Sequence, residues 1–237
     1  MIDTILFDFD KTLAYMKPSH EELYISAIKE KNTKLFNFNI TSIEIESAWS
    51  NWTYGNDIKH LNESKNEKTY HQLRKKIHTI RLKKIGVSKN IESIAERIIE
   101  LESDTKYYFL YEDVIKSLNY LKSANYQLGI VSNHLWNLDV IVDNLGINKY
   151  FKTIISSARV GYRKPSTEIY QIALSQLQSK IESTLFIGDN LKNDYEKPKK
   201  IGMDAILIKR NSNIESSSYI NSLNELINYT TQLINFL

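Results

Sequence analysis

Residues 4–13 read Thr4-Ile5-Leu6-Phe7-Asp8-Phe9-Asp10-Lys11-Thr12-Leu13. Thr4 to Phe7 run without an alternating polar partner, which suits a strand covered on both faces, as in a parallel sheet. The run stops at Asp8, with a second aspartate two residues on. Open parallel sheets bind their ligands beyond the carboxyl ends of the strands. Asp8 and Asp10 therefore fall where such a fold does its chemistry.

Four more runs have the same texture: Leu128-Gly129-Ile130-Val131, Thr153-Ile154-Ile155, Thr184-Leu185-Phe186-Ile187 and Ala205-Ile206-Leu207-Ile208. Helical patterns separate them. Val114, Leu118 and Leu121 recur at helical spacing, as do Leu138, Ile141, Val142 and Leu145 before Gly146, a C-terminal stop. Pro165 is expected in a first helical turn, followed by an apolar face of Ile169, Ile172, Ala173 and Leu177. Residues 219–237 read as a closing helix through Leu223, Leu226, Ile227, Leu233 and Ile234. Strand–helix alternation from about residue 112 predicts a Rossmann-like, doubly wound parallel sheet.

Residues 15–105 differ, with no convincing strand. Ser19-His20-Glu21-Glu22 is a capping box, with Leu23, Tyr24, Ala27 and Ile28 behind it at helical spacing. Ile91, Ile94, Ala95, Ile98 and Ile99 form another amphipathic stretch. Trp49, Trp52 and Tyr54 are expected in the core of this insert. The fold class is thus α/β, a core of residues 1–14 and 106–237 split by an inserted α-helical domain of residues 15–105.

The chain has 237 residues and no cysteine, which excludes a disulfide scaffold, thiolate metal sites and cysteine nucleophiles. Its 31 basic and 28 acidic side chains leave a net charge of +3, which gives no ground for a nucleic-acid or membrane partner. No run approaches the roughly 18 apolar residues of a transmembrane helix. The N-terminal run is too short and too acidic for a signal peptide, so the cytoplasm is the expected location.

The strand ends carry polar residues of one kind. Asp8 and Asp10 follow the first, Ser132-Asn133 another, and Gly188-Asp189 a third, with Asp194 near; Lys164 precedes a helix. Gathered carboxylates repel unless a cation joins them, and hard oxygen ligands suit Mg²⁺. A lysine and a hydroxyl are what a phosphoryl group requires. These residue types point to phosphoryl transfer.

The motifs resemble those of the haloacid dehalogenase-like (HAD) hydrolase superfamily. Asp8-Phe9-Asp10-Lys11-Thr12 matches the DxDx[TV] start, Ser132-Asn133 the second motif, Lys164-Pro165 the third, and Gly188-Asp189 to Asp194 the GDxxxxD fourth. They occur in the family's order, and the likeness covers essentially the whole chain. The insert after the first motif looks like a C1-type cap. Lys11 stands where the family often has glycine, which bears on the first turn and the electrostatics of the mouth.

The resemblance implies an Mg²⁺-dependent phosphohydrolase acting on a small phosphorylated metabolite, a phosphomonoester. Asp8 is the implied nucleophile, forming an aspartyl-phosphate, and Asp10 the acid and then the base. Ser132, Asn133 and Lys164 are the implied phosphate ligands. Asp8, Asp10 (through its carbonyl) and Asp189 are implied around the metal, with Asp194 a ligand or an anchor behind them. A 2-haloacid dehalogenase, a phosphomutase and an idle phosphate- or partner-binding protein share the scaffold. Monomer and homodimer stay open.

Other polar residues carry blander expectations. His71 and His78 lack the further ligands of a zinc site. His134 reads as a polar loop residue, and the basic residues at 74–76 and 81–84 as a solvated face. Tyr15 and Lys17 are candidates for the entrance.

Overall fold

The computed structural model describes residues 2–31, 61–210 and 219–226. Its strands are β1 (Thr4–Phe7), β2 (Ala14–Met16), β3 (Tyr108–Leu110), β4 (Gln127–Ser132), β5 (Thr153–Ser156), β6 (Thr184–Gly188), β7 (Asp204–Ile208) and β8 (Tyr219–Ile220). The helices are α1 (His20–Lys31), α2 (Glu67–Lys84), α3 (Ile91–Ser103), α4 (Val114–Ser123), α5 (Leu138–Asn144), α6 (Ser157–Val160), α7 (Thr167–Leu177) and α8 (Lys197–Ile201).

Six strands form one parallel sheet in the order β5-β4-β1-β6-β7-β8. β1 lies inside it, with Phe7 in register with Ile130 of β4 and Ile187 of β6. Successive side chains of a strand face opposite ways, and β1 feeds both cores. Ile5 and Phe7 join Val114, Leu118, Leu121, Leu138 and Ile141 from α4 and α5. Leu6 joins Ile169, Tyr170, Ala173 and Leu177 from α7 on the other side. Burying each such side chain stabilises the fold by about 1.5–3 kcal/mol. The absence of polar alternation in residues 4–7 thus follows from helices on both faces.

The insert has its own apolar core. Leu23, Tyr24, Ala27 and Ile28 of α1 pack with Leu82 of α2, Val87, and Ile94, Ala95, Ile98 and Leu101 of α3. The capping box of α1 forms: Ser19 N–H donates to Glu22 at 2.7 Å, and Glu22 N–H to Ser19 Oγ at 3.3 Å. Beside this core lies a buried ionic cluster. Glu102 pairs with Arg74, and its carboxylate lies 3.2 Å from His78 Nε2 and 3.5 Å from His20 Nδ1. Tyr24 Oη is 2.5 Å from His78 Nδ1, and Arg81 donates to the same Oη at 3.2 Å.

The structure corrects several expectations. Tyr15 and Met16 belong to a strand: β2 pairs antiparallel with β3, Tyr15 opposite Phe109. Three residues are too few to display a period. Tyr219 and Ile220 extend the sheet as β8 beside β7 instead of opening a helix, while Leu223 and Leu226 are buried in the core. Pro165 precedes α7, whose N-cap is Ser166. Arg74 and Arg81 of the basic segment point inward, because Glu102 and Tyr24 offer them partners. Gly146 ends α5 at φ +71° as the pattern predicts. Trp49, Trp52, Tyr54, Ile227, Leu233 and Ile234 lie outside the described residues.

Candidate active site

Parallel pairing brings three strand ends to one edge. Asp8 continues β1, its N–H bonded to Ile187 O at 2.8 Å. Ser132 closes β4 and is buried, and Gly188-Asp189 closes β6. The chain after Asp8 turns at once: the amides of Thr12, Leu13 and Ala14 all reach Phe9 O, at 3.3, 2.9 and 3.0 Å. This tight turn displays Asp10 and holds Lys11 at φ +56°, the left-handed region that favours glycine.

Lys164 reaches the same edge from the loop between α6 and α7. Its Nζ lies 2.9 Å from Asp8 Oδ1 and 2.7 Å from Asp194 Oδ1, and all three side chains are buried. The two carboxylates hold the ammonium in its charged form, above its ordinary range, although burial opposes this. Asn133 does not point into this group. It accepts from Lys164 N–H at 2.7 Å and donates to Lys164 O at 2.9 Å.

Asp194 is fully buried and reached by the Asn190 N–H at 3.0 Å. It lies against Gly188, where an added Cβ would come within 2.4 Å of the Asp194 carboxyl carbon. Any side chain at 188 would displace that carboxylate. Asp8, Asp189 and Asp194 each offer an oxygen, all within 4.8 Å of one another. Burial first, then the charge of Asp8, pushes Asp189 up to about 6. Burial likewise pushes Asp194 up to about 7, against the pull of Lys164. This excess of confined negative charge, with hard oxygen donors and the clearance at Gly188, fits a divalent cation.

Asp10 stands apart from that carboxylate group. Its side chain is half exposed, 3.6 Å from His134 Nε2. His134 is buried, edge-on to Phe9 with ring centres 5.3 Å apart, and 5.6 Å from the Tyr108 ring. Burial pushes its imidazole down, opposed by Asp10 and Asp8. The expectation of an ordinary loop residue therefore gives way to one that borders the site. Its place directly after Asn133 was the available signal, since the neighbouring strand ends carry the other site residues. Tyr15 lies on the ribbon, stacked on Phe109 at 5.8 Å. His71 bonds Glu96 at 2.6 Å on the insert, away from His78. Among the described residues no helix is long and apolar enough to cross a membrane.

A glyceraldehyde 3-phosphate phosphatase of Methanopyrus kandleri is 26% identical over 216 residues, covering 89% of this chain and 85% of that protein. A protein of the same name from Methanocaldococcus jannaschii is 30% identical over 133 residues, covering 52% and 57%. Among solved structures, a HAD phosphatase from Thermococcus onnurineus superposes with a TM-score of 0.62 at 21% identity, covering 97% of this chain and 98% of that one. A 2-haloacid dehalogenase from Pseudomonas syringae gives 0.67 at 19% identity, covering 98% and 100%. These likenesses show the fold. The model of the family described as haloacid dehalogenase-like hydrolase matches residues 5–208, and the chain belongs to that family.

Proposed function

We propose that the protein is an Mg²⁺-dependent phosphohydrolase acting on a small phosphomonoester through an aspartyl-phosphate on Asp8. One observation carries the reading: the Asp8 carboxylate is paired with a buried lysine and lies close to two further acids, the buried Asp194 and the partly buried Asp189, at the mouth of a parallel sheet. Residues 1–14 and 106–237 are the catalytic core in this reading, and residues 15–105 the cap that covers it.

A carboxylate oxygen of Asp8 attacks phosphorus; a P–O bond forms to the enzyme and the ester P–O bond breaks. Asp10, on its turn outside the carboxylate group, gives its proton to the leaving oxygen. It then takes one from the water that cleaves the acyl-phosphate and releases Asp8. Lys164 neutralises charge on Asp8 and on the phosphoryl oxygens, and Ser132 donates to one of them. Asn133 serves phosphate binding by fixing Lys164. Asp8, the Asp10 carbonyl, Asp189 and Asp194 would hold Mg²⁺, which would offset the repulsion between a carboxylate nucleophile and a phosphate dianion.

The test is phosphate release from a panel of small phosphomonoesters, with Mg²⁺ and with EDTA, on the native chain and on Asp8→Asn. The names of the archaeal relatives make a triose phosphate the first ester to try. Metal-dependent release lost in Asp8→Asn is expected. Release that survives the substitution would overturn the covalent mechanism, and halide release from a 2-chloroacid would replace the reading with dehalogenation.

A further inference from the structure

The chain leaves the core along β2 and returns along β3. Thr12 stands two residues before β2, and Tyr111 and Asp113 follow β3. Arg210, just beyond β7, reaches all three. Its Nε donates to Thr12 O at 3.0 Å and its Nη2 to the same oxygen, while Nη1 donates to Asp113 Oδ2 at 2.6 Å. The guanidinium lies 4.2 Å from the centre of the Tyr111 ring. The Arg210 and Asp113 side chains are 6% and 8% exposed.

Asp113 is itself held from behind. Ser222 Oγ and Leu223 N–H donate to its Oδ2 at 2.6 and 2.7 Å. Burial works against its charge, yet Arg210 and Ser222 outweigh burial and keep its carboxyl below the ordinary range. Within the turn after β1 the amides converge on Phe9 O, so Thr12 O is met from outside by a rigid fork. A planar guanidinium fixes direction as well as charge. A lysine ammonium at the same place is a single point without the fork, and cannot reproduce the paired bonds to Thr12 O together with the bond to Asp113 and the stacking on Tyr111.

We propose that Arg210 is a positioning residue for the reaction: braced by Asp113, it fixes the turn that carries Asp10 and ties both legs of the crossover into the insert. This rests on Asp10 acting as the acid and base. Leu13 O is met by Tyr111 N–H at 3.2 Å and Ala14 pairs with Leu110, so the far end of the turn is held by the β3 leg, while at Thr12 O the fork is the outside partner among the described contacts. Misplacing Asp10 harms esters with poor leaving groups most, because these need the proton most.

The test is Arg210→Lys in the full chain, read by thermal melting, by backbone amide exchange, and by kcat/KM for two esters. Glycerol phosphate has a poor leaving group and p-nitrophenyl phosphate a good one. The expected result is faster exchange in residues 11–16 and 108–112, with β1 and β4 unchanged. The kcat/KM for glycerol phosphate is expected to fall at least tenfold further than that for p-nitrophenyl phosphate. An equal fall for both esters, a uniform rise in exchange, or no change would overturn the proposal. If Arg210→Lys does not fold, Asp113→Asn replaces it and must give the same asymmetry. Should the native chain hydrolyse no ester, the phosphohydrolase reading falls, and local exchange in those two segments then decides the brace.

Discussion

Asn133 grips Lys164 by its main chain, accepting from its N–H at 2.7 Å and donating to its carbonyl at 2.9 Å. Both ends of one amide are thereby committed to one residue, and the Lys164 ammonium hangs from a fixed point between Asp8 and Asp194. Asn133→Ala leaves the charges in place but frees that anchor. Steady-state phosphate release is expected to drop by roughly tenfold, with about 1–2 kcal/mol lost in urea unfolding. Lys164→Met removes the charge itself and is expected to cost about 10² to 10³ in kcat. Equal losses in the two variants would contradict the division of roles.

Gly188 sets the place of Asp194. With an added Cβ only 2.4 Å from the Asp194 carboxyl carbon, Gly188→Ala must push that carboxylate away. The variant is expected to need several-fold more Mg²⁺ for half-maximal phosphate release. A direct binding readout accompanies this. A cation that binds only the folded chain stabilises it, by about 2.7 kcal/mol at a hundredfold excess over Kd. Mg²⁺ is thus expected to raise Tm in the native chain and far less in Asp189→Asn. An identical rise in both would exclude Asp189 as a ligand.

Much of this arrangement could be read before any coordinates. The apolar runs mark strands because both faces of β1 are covered, so the signal was simple burial. The acids at the strand ends followed from parallel topology, which sends every carboxyl end to one edge. What escaped depended on partners far along the chain. β2 is three residues long and has meaning only beside β3, more than 90 residues away. Arg74 and Arg81 read as surface charges until Glu102 and Tyr24 are seen beneath them. Arg210 showed no pattern at all, since its three contacts lie about 100 to 200 residues upstream.

Lys11 occupies a glycine-like conformation at φ +56°, its N–H bonded to Ala14 O at 2.7 Å. A side chain there costs roughly 1–2 kcal/mol. Part of that is returned when glycine replaces it, because glycine loses more freedom on folding. Lys11→Gly is expected to be neutral or stabilising by up to about 1 kcal/mol. Lys11→Val, β-branched, is expected to destabilise by at least about 1 kcal/mol. Urea unfolding of the three proteins checks the order; a stabilising valine would refute the strained turn.

The insert is expected to weaken in mild acid before the sheet does. His78 is buried between Tyr24 and Glu102, and burial, with Arg74 adding to it, pushes its imidazole down to about 4 against the pull of Glu102. An unfolded histidine titrates near 6.5, so between about pH 6.5 and 4 the unfolded chain binds more protons. Stability therefore falls as the pH drops through that window, by at most about 3 kcal/mol from this group. Glu102, held well below its ordinary value by Arg74 and His78 although burial opposes them, adds its loss only below about 4.5. His78→Gln keeps a polar group in the cluster without a titrating ring. Between pH 6.5 and 5 its stability is expected to fall less steeply than that of the native chain, since His134, Asp189 and Asp194 titrate alike in both proteins and only the His78 contribution is removed. Urea unfolding followed at several pH values in that interval decides it, and parallel curves for the two proteins would remove His78 as the cause.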